Sequence, residues 1–190
     1  WSAFLLQLQA RLPQKQWQQG SKITNSLRMV KDASELALHQ TAHTLAQKAL
    51  AQLLNEGLEG KSELAVSTRL AELCRAQGLV PAGQIVAAGI NGASPHHENG
   101  DHIIAQGESV VIDFWGSYQG YFYDMTRTPF VGKAPEAFRK AYAAVLAANR
   151  AAKQAVKPGV TCQSIDRAGR SLLEEAGYGP HFTHRLGHGL

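Results

Sequence analysis

Two aspartates, Asp113 and Asp124, flank a glycine-bounded turn in residues 110–128, and no other feature of the chain restricts its fold so narrowly. Residues 110–114 are apolar apart from Asp113, residues 121–128 are rich in aromatics and threonine, and Gly116 and Gly120 punctuate the middle. That pattern predicts a β-hairpin. A turn centred on Tyr118 and Gln119 sets Asp113 directly opposite Asp124, with Cβ atoms roughly 5 Å apart. Like charges so placed destabilise a sheet, and half-burial costs both carboxylates hydration. A divalent cation between them reverses the sign of that interaction. The competing assignment makes Asp113 a strand-end cap and Asp124 a partner of Arg127, with a bulge shifting the register by one residue.

The rest of the chain must supply whatever else such a cation needs. At 190 residues and 44% hydrophobic content, it can bury a core as one large domain or two small ones. No apolar run approaches the roughly 20 residues of a membrane span, and no secretory signal precedes the first helix. A soluble, cytoplasmic protein is expected. Cys74 and Cys162 lack metal-finger spacing and read as buried free thiols on helices. The formal charge of +4 comes from scattered Lys and Arg rather than a basic stripe, which argues against a nucleic-acid partner. The chain opens on Trp1 and stops at Leu190 within a Gly/His-rich segment, so part of a longer polypeptide is expected.

Residues 1–22 read as the exit segment of a preceding element plus a linker. Asp32 and Glu35 form a capping box that opens a helix, with Leu38, Ala42, Leu45, Ala49 and Leu53 at helical spacing up to Gly57. A second helix is expected from about Ser62 to Gln77, with Leu64, Leu70, Leu73 and Cys74 facing inward. Ile85–Ile90 suggests a short strand, Asn91-Gly92 a turn, and residues 94–101 a polar loop. After the hairpin, an alanine-rich helix is expected over 135–156 and another from Thr161 to Ala176, with a strand starting at Phe182. The order predicts an α+β domain in which helices cover one face of an antiparallel sheet.

The eight histidines fall into three groups. His39 and His43 have the spacing of a helical metal motif, but Gln40 stands where that motif needs glutamate, so solvent-facing side chains are expected. His96, His97 and His102 occupy the loop leading into the hairpin, and His96, stiffened by Pro95, is the candidate site residue. His181, His184 and His188 lie in the terminal segment, where Gly187 and Gly189 argue against a helix. Neutral imidazole is a common ligand for divalent metals, so this segment is a candidate second half of the site.

Three motifs then occur in order: Asp113, Phe114 and Gly116; Asp124, Thr126, Arg127 and Thr128; and His184-Arg185-Leu186-Gly187-His188-Gly189. Together they resemble the metallopeptidases of the pita-bread fold, which include methionine aminopeptidase, aminopeptidase P, prolidase and creatinase. The resemblance runs from about residue 23 to the end, and the histidine motif looks most like that of Xaa-Pro dipeptidases. It implies that 1–22 leaves an N-terminal domain and that 23–190 is the N-terminal part of a catalytic domain. Carried over, Asp113 would bind one metal, Asp124 would bridge two and His188 would bind one. His96 and His184 would contact substrate and stabilise charge on the scissile carbonyl. Two divalent ions are implied, Mn²⁺ or Co²⁺ first and Zn²⁺ next, acting in metal-assisted hydrolysis.

The resemblance implies two further glutamate ligands, which would lie beyond Leu190, so the chain as given is expected to be inactive by itself. The leading expectation for the intact protein is an Xaa-Pro dipeptidase acting on short proline-containing peptides, assembled as a homodimer as is usual in that family. The alternatives are an Xaa-Pro aminopeptidase on longer peptides, a creatinase-like amidinohydrolase, and a non-catalytic binding module. Trp115 departs from many relatives, which carry glycine at that position.

Overall fold

A computed structural model describes residues 2–189. The chain divides into two compact units, Trp1–Leu38 and His39–Leu190. In the first lie α1 (Ser2–Arg11), α2 (Ser21–Met29) and the opening of α3 (Ala33–Asn55). Within segment 1–22, residues 2–11 are helical and residues 12–20 are not. None of the described residues of α1 or α2 is buried. The capping box forms as the sequence predicts. Asp32 Oδ1 accepts from the Glu35 amide at 2.9 Å, and Glu35 Oε2 accepts from the Asp32 amide at 2.8 Å.

The second unit holds the remainder of α3, then α4 (Glu63–Ala76), β1 (Val80–Ala88), β2 (Val110–Tyr118), β3 (Tyr121–Arg127), α5 (Glu136–Ala155) and α6 (Cys162–Glu175). The strands form an antiparallel meander in the order β1-β2-β3. Ala42, Ala46, Ala49, Leu50 and Leu53 of α3 and Val66, Leu70, Leu73 and Cys74 of α4 build one core with Val86, Ile112, Phe114 and Tyr123 of the sheet. Helices therefore cover one sheet face, as expected, and β2 and β3 bury alternate residues against them. α5 and α6 pack on each other through Ala148, Ala152, Gly169 and Leu173. No described helix is long and apolar enough to cross a membrane.

Several expectations are corrected. β1 begins at Val80, five residues before the expected strand, because Pro81 and Gly83 disguise its start. A bulge at Pro81/Gly83 absorbs the proline, and Gly83 is required because a Cβ there would meet the Trp115 indole. Residues 89–93 form a 3₁₀ turn instead of continuing the strand. No strand starts at Phe182. That segment's backbone groups bond to side chains of α6 instead of to a sheet neighbour.

Leu64 is 50% exposed, whereas the adjacent Glu63 is fully buried, which inverts the simple apolar pattern. The reason is hydrogen bonding. Glu63 accepts from the amides of Ala88 and Gly100, from Asn91 Nδ2, and pairs with His97 Nε2 at 2.7 Å. Burial pushes its carboxyl up, but these partners outweigh burial and hold it below the ordinary glutamate range. Cys74 is buried as expected, but Cys162, at the first turn of α6, is exposed.

Candidate metal centre

The period of two that buries Ile112, Phe114, Tyr123 and Met125 puts Asp113, Trp115, Asp124 and Thr126 together on the opposite face. The aspartates are not direct cross-strand partners, however. Asp113 stands opposite Thr126, and Trp115 opposite Asp124. The turn is Gln119-Gly120, closed by the pair Tyr118 and Tyr121, one residue later than expected. Both turn residues are left-handed, with φ of 49° and 86°. That is the two-residue hairpin turn whose twist matches the strands, and glycine at its second position fixes where it falls. The carboxylates become diagonal neighbours on one face, close enough to interact but not in contact.

Asp113 accepts a short hydrogen bond from the Thr126 hydroxyl directly across the ladder. Burial pushes its carboxyl above the ordinary aspartate range. The Thr126 bond opposes that rise, Asp124 adds to it, and His188 opposes it. An aspartate whose anion is disfavoured by its surroundings and its neighbour is a group prepared for a positive partner.

His188 arrives from far along the chain. Its Nε2 lies 3.3 Å from Asp124 Oδ2. Its Nδ1 lies 3.0 Å from the Gly189 carbonyl, to which it donates. That bond leaves Nε2 as the nitrogen facing the carboxylate, so either a proton or a cation must lie between two electron-rich atoms. Two carboxylates and an imidazole nitrogen therefore form a donor set that suits a divalent first-row metal. The fit is one of chemistry rather than of a closed cage. Among the described residues, no group of three or more His, Cys, Asp or Glu side chains converges into a metal-holding cluster.

The remaining candidates stand apart. His96 is exposed in its loop, whereas its neighbours His97 and His102 are fastened, through Glu63 and Glu108 respectively. His184 is exposed, with Nδ1 2.9 Å from the Arg185 carbonyl. Among the described residues, no hydrogen bond or ion pair joins His96 or His184 to either aspartate. His39 and His43 are half-buried rather than solvent-facing, which corrects the expectation. His39 Nδ1 bonds to the Phe122 carbonyl at 2.9 Å, and its ring meets Tyr121 edge-on, so it braces the hairpin near its turn.

Sequence reasoning named Thr126 only as part of a motif, without a role, and passed over Glu63 and the Asp166–Arg170 pair of α6. Thr126 had a usable signal, two residues after Asp124 and hence on the same sheet face. Glu63 resembles an ordinary charged first-turn residue, and Asp166 and Arg170 an ordinary solvent-side i, i+4 pair, so neither carried one.

The sequence profile of Metallopeptidase family M24 matches residues 37–190. The Xaa-Pro dipeptidase of Pyrococcus horikoshii is 34% identical over 189 residues, which cover 98% of this chain and 54% of that protein. Among solved structures, the prolidase from Pyrococcus horikoshii superposes with a TM-score of 0.92 at 34% identity, covering 98% of this chain and 54% of that one. The recombinant prolidase from Thermococcus sibiricus gives 0.91 at 31% identity, covering 98% and 52%. The α+β arrangement is the pita-bread fold of these neighbours, and the chain spans about half their length.

Proposed function

The chain belongs to metallopeptidase family M24, and on that footing we propose that the whole protein is an Xaa-Pro dipeptidase, hydrolysing the bond between an N-terminal residue and proline. The observation that carries this is the approach of His188 Nε2 to Asp124 Oδ2 on the face that also holds Asp113. The names of the similar proteins, Xaa-Pro dipeptidase and prolidase, supply the substrate class.

Asp113, Asp124 and His188 would hold divalent metal, with Asp124 shared between two ions. The rest of the donor set comes from the part of the relatives' length that this chain does not span. Two carboxylates with one imidazole favour Mn²⁺ or Co²⁺, then Zn²⁺. When bound, the metal supplies Lewis-acid activation of water and of the scissile carbonyl at near-neutral pH.

The chain's own residues do the rest. Thr126 orients the Asp113 carboxylate by donating to Oδ1. The Gly189 carbonyl, by accepting from His188 Nδ1, keeps Nε2 available. His96 and His184, both exposed, would contact the peptide and donate hydrogen bonds to the oxygen that gains charge as the bond breaks. The protein is read as a cytoplasmic homodimer with a short peptide substrate and no nucleic-acid or membrane partner.

The test is hydrolysis of Xaa-Pro dipeptides and Xaa-Pro tripeptides by the full-length protein, before and after chelation and with Mn²⁺ or Co²⁺ restored. Cleavage of dipeptides that is lost with chelator and regained with metal is expected. Chelator-resistant cleavage, or cleavage of tripeptides alone, would sink the dipeptidase reading.

A further inference from the structure

The segment that carries His184 and His188 has no regular secondary structure beyond a 3₁₀ turn at Gly179–His181, yet it is fastened to one face of α6. We infer that Asp166, Gly169 and Arg170 are the positioning residues of the metal centre, setting the place of His188 without touching the metal or the substrate. This inference rests on the assignment of His188 as a ligand.

The geometry is dense. Arg170 donates to both oxygens of Asp166, Nε to Oδ2 at 2.7 Å and Nη2 to Oδ1 at 3.1 Å. The same guanidinium donates through Nη1 to the Phe182 carbonyl at 2.7 Å and through Nη2 to the His184 carbonyl at 2.9 Å. Its central carbon lies 4.5 Å from the centroid of the Phe182 ring. Asp166 Oδ1 in turn accepts from the Leu186 amide at 2.7 Å. Leu186 occupies the notch left by Gly169, where a Cβ would stand 2.5 Å from Leu186 Cδ1 and 3.1 Å from the Ala148 carbonyl.

Positions 166, 169 and 170 share one helical face, so a single rigid element holds the backbone at 182, 184 and 186 and the side chain of 186. Only Gly187, left-handed at φ 71°, separates the last fastened residue from His188. Both partners of the ion pair are about four-fifths covered, at 21% and 23% side-chain exposure, and mutual hydrogen bonding holds Asp166 charged. A planar guanidinium is needed because one group must serve a carboxylate bidentately and two carbonyls at once. An ammonium at the same place offers a point charge without the fork.

The experiment uses the full-length protein with Co²⁺ as probe. Metal affinity by calorimetry and metal-free unfolding temperature are measured for wild type, Arg170→Lys, Asp166→Asn, His188→Ala and the Arg170→Lys/His188→Ala double variant. A positioning role predicts that Arg170→Lys weakens Co²⁺ binding roughly 10- to 100-fold, the range for residues that orient ligands. It also predicts little change in metal-free unfolding, and that the Arg170→Lys effect disappears once His188 is alanine. Asp166→Asn carries the same comparison if Arg170→Lys does not fold. Wild-type affinity in both variants, or a loss that persists undiminished in the His188→Ala background, overturns the inference. If His188→Ala itself binds Co²⁺ like wild type, the ligand assignment fails and this inference with it. If His188→Ala is impaired while Arg170→Lys and Asp166→Asn are not, only the positioning role fails.

Discussion

Asp124 and His188 meet at 3.3 Å, a carboxylate from the middle of β3 and an imidazole from a segment fastened to α6. If both are ligands, removing either side chain takes a donor from the same ion. Asp124→Ala and His188→Ala in the full-length protein are each expected to reduce metal affinity and Xaa-Pro hydrolysis beyond the roughly 10–100-fold seen for outer residues. Combining them is expected to cost much less than the sum. Metal content by elemental analysis checks this, and full occupancy in Asp124→Ala would remove that residue from the centre.

Thr126 acts one step further out, by donating to Asp113. Thr126→Val keeps the shape and β-branching that the strand needs while deleting the hydroxyl. Metal affinity is expected to fall about tenfold or more with the fold intact. Calorimetric titration beside far-UV circular dichroism separates the two effects.

Asp113 illustrates a conflict between binding and stability. Burial and the nearby Asp124 both disfavour its anion. Asp113→Asn is therefore expected to bind metal poorly while leaving metal-free stability unchanged or raised by a few tenths of a kcal/mol, the scale of a like-charge pair on a sheet. Urea unfolding under chelation measures it, and a large loss of metal-free stability would contradict the account.

The register depends on Gly120, whose φ of 86° is costly for any residue with a Cβ. Gly120→Ala is expected to lose about 1–2 kcal/mol of stability. Its metal affinity is expected to fall as well, because the same turn makes Asp113 and Asp124 diagonal neighbours on one face. Retention of wild-type unfolding would show that the turn is not specified there.

Glu63 contributes to the response to acid. Its folded carboxyl lies below the ordinary value of 4.5, so its contribution to stability is fully present above that value and is lost as pH falls through the folded pKa. Glu63→Gln replaces one acceptor oxygen by a donor facing other donors and is expected to cost about 2 kcal/mol near neutral pH. The gap to wild type should shrink in strong acid, which thermal melts across pH would reveal. A gap independent of pH would mean that the charge of Glu63 is immaterial.

The hairpin and the helix caps were legible in the sequence because each is local. Period-two alternation with a two-residue turn puts Asp113 and Asp124 on one face, and Asp32 with Glu35 closes its box within four residues. The turn was misplaced by one residue, and the pairing therefore by two, because Gly116 and Gly120 both punctuate the loop, and only pairing selects Gln119-Gly120. The inward face of α4 was misread for a related reason. Whether Glu63 or Leu64 is buried depends on donors from residues 88–100, which no helical periodicity encodes.

By itself, then, the sequence determined that a hairpin carries both aspartates and that helices flank it, through short-range periodicity and turn stereochemistry. The tertiary structure alone decided that His188 reaches Asp124, that Thr126 rather than Asp124 faces Asp113, and that His97 and His102 rather than His96 are held in place in the loop. Those relationships join residues distant along the chain. They are set by packing and by the need of buried polar groups for partners, and both exist only once the elements have met.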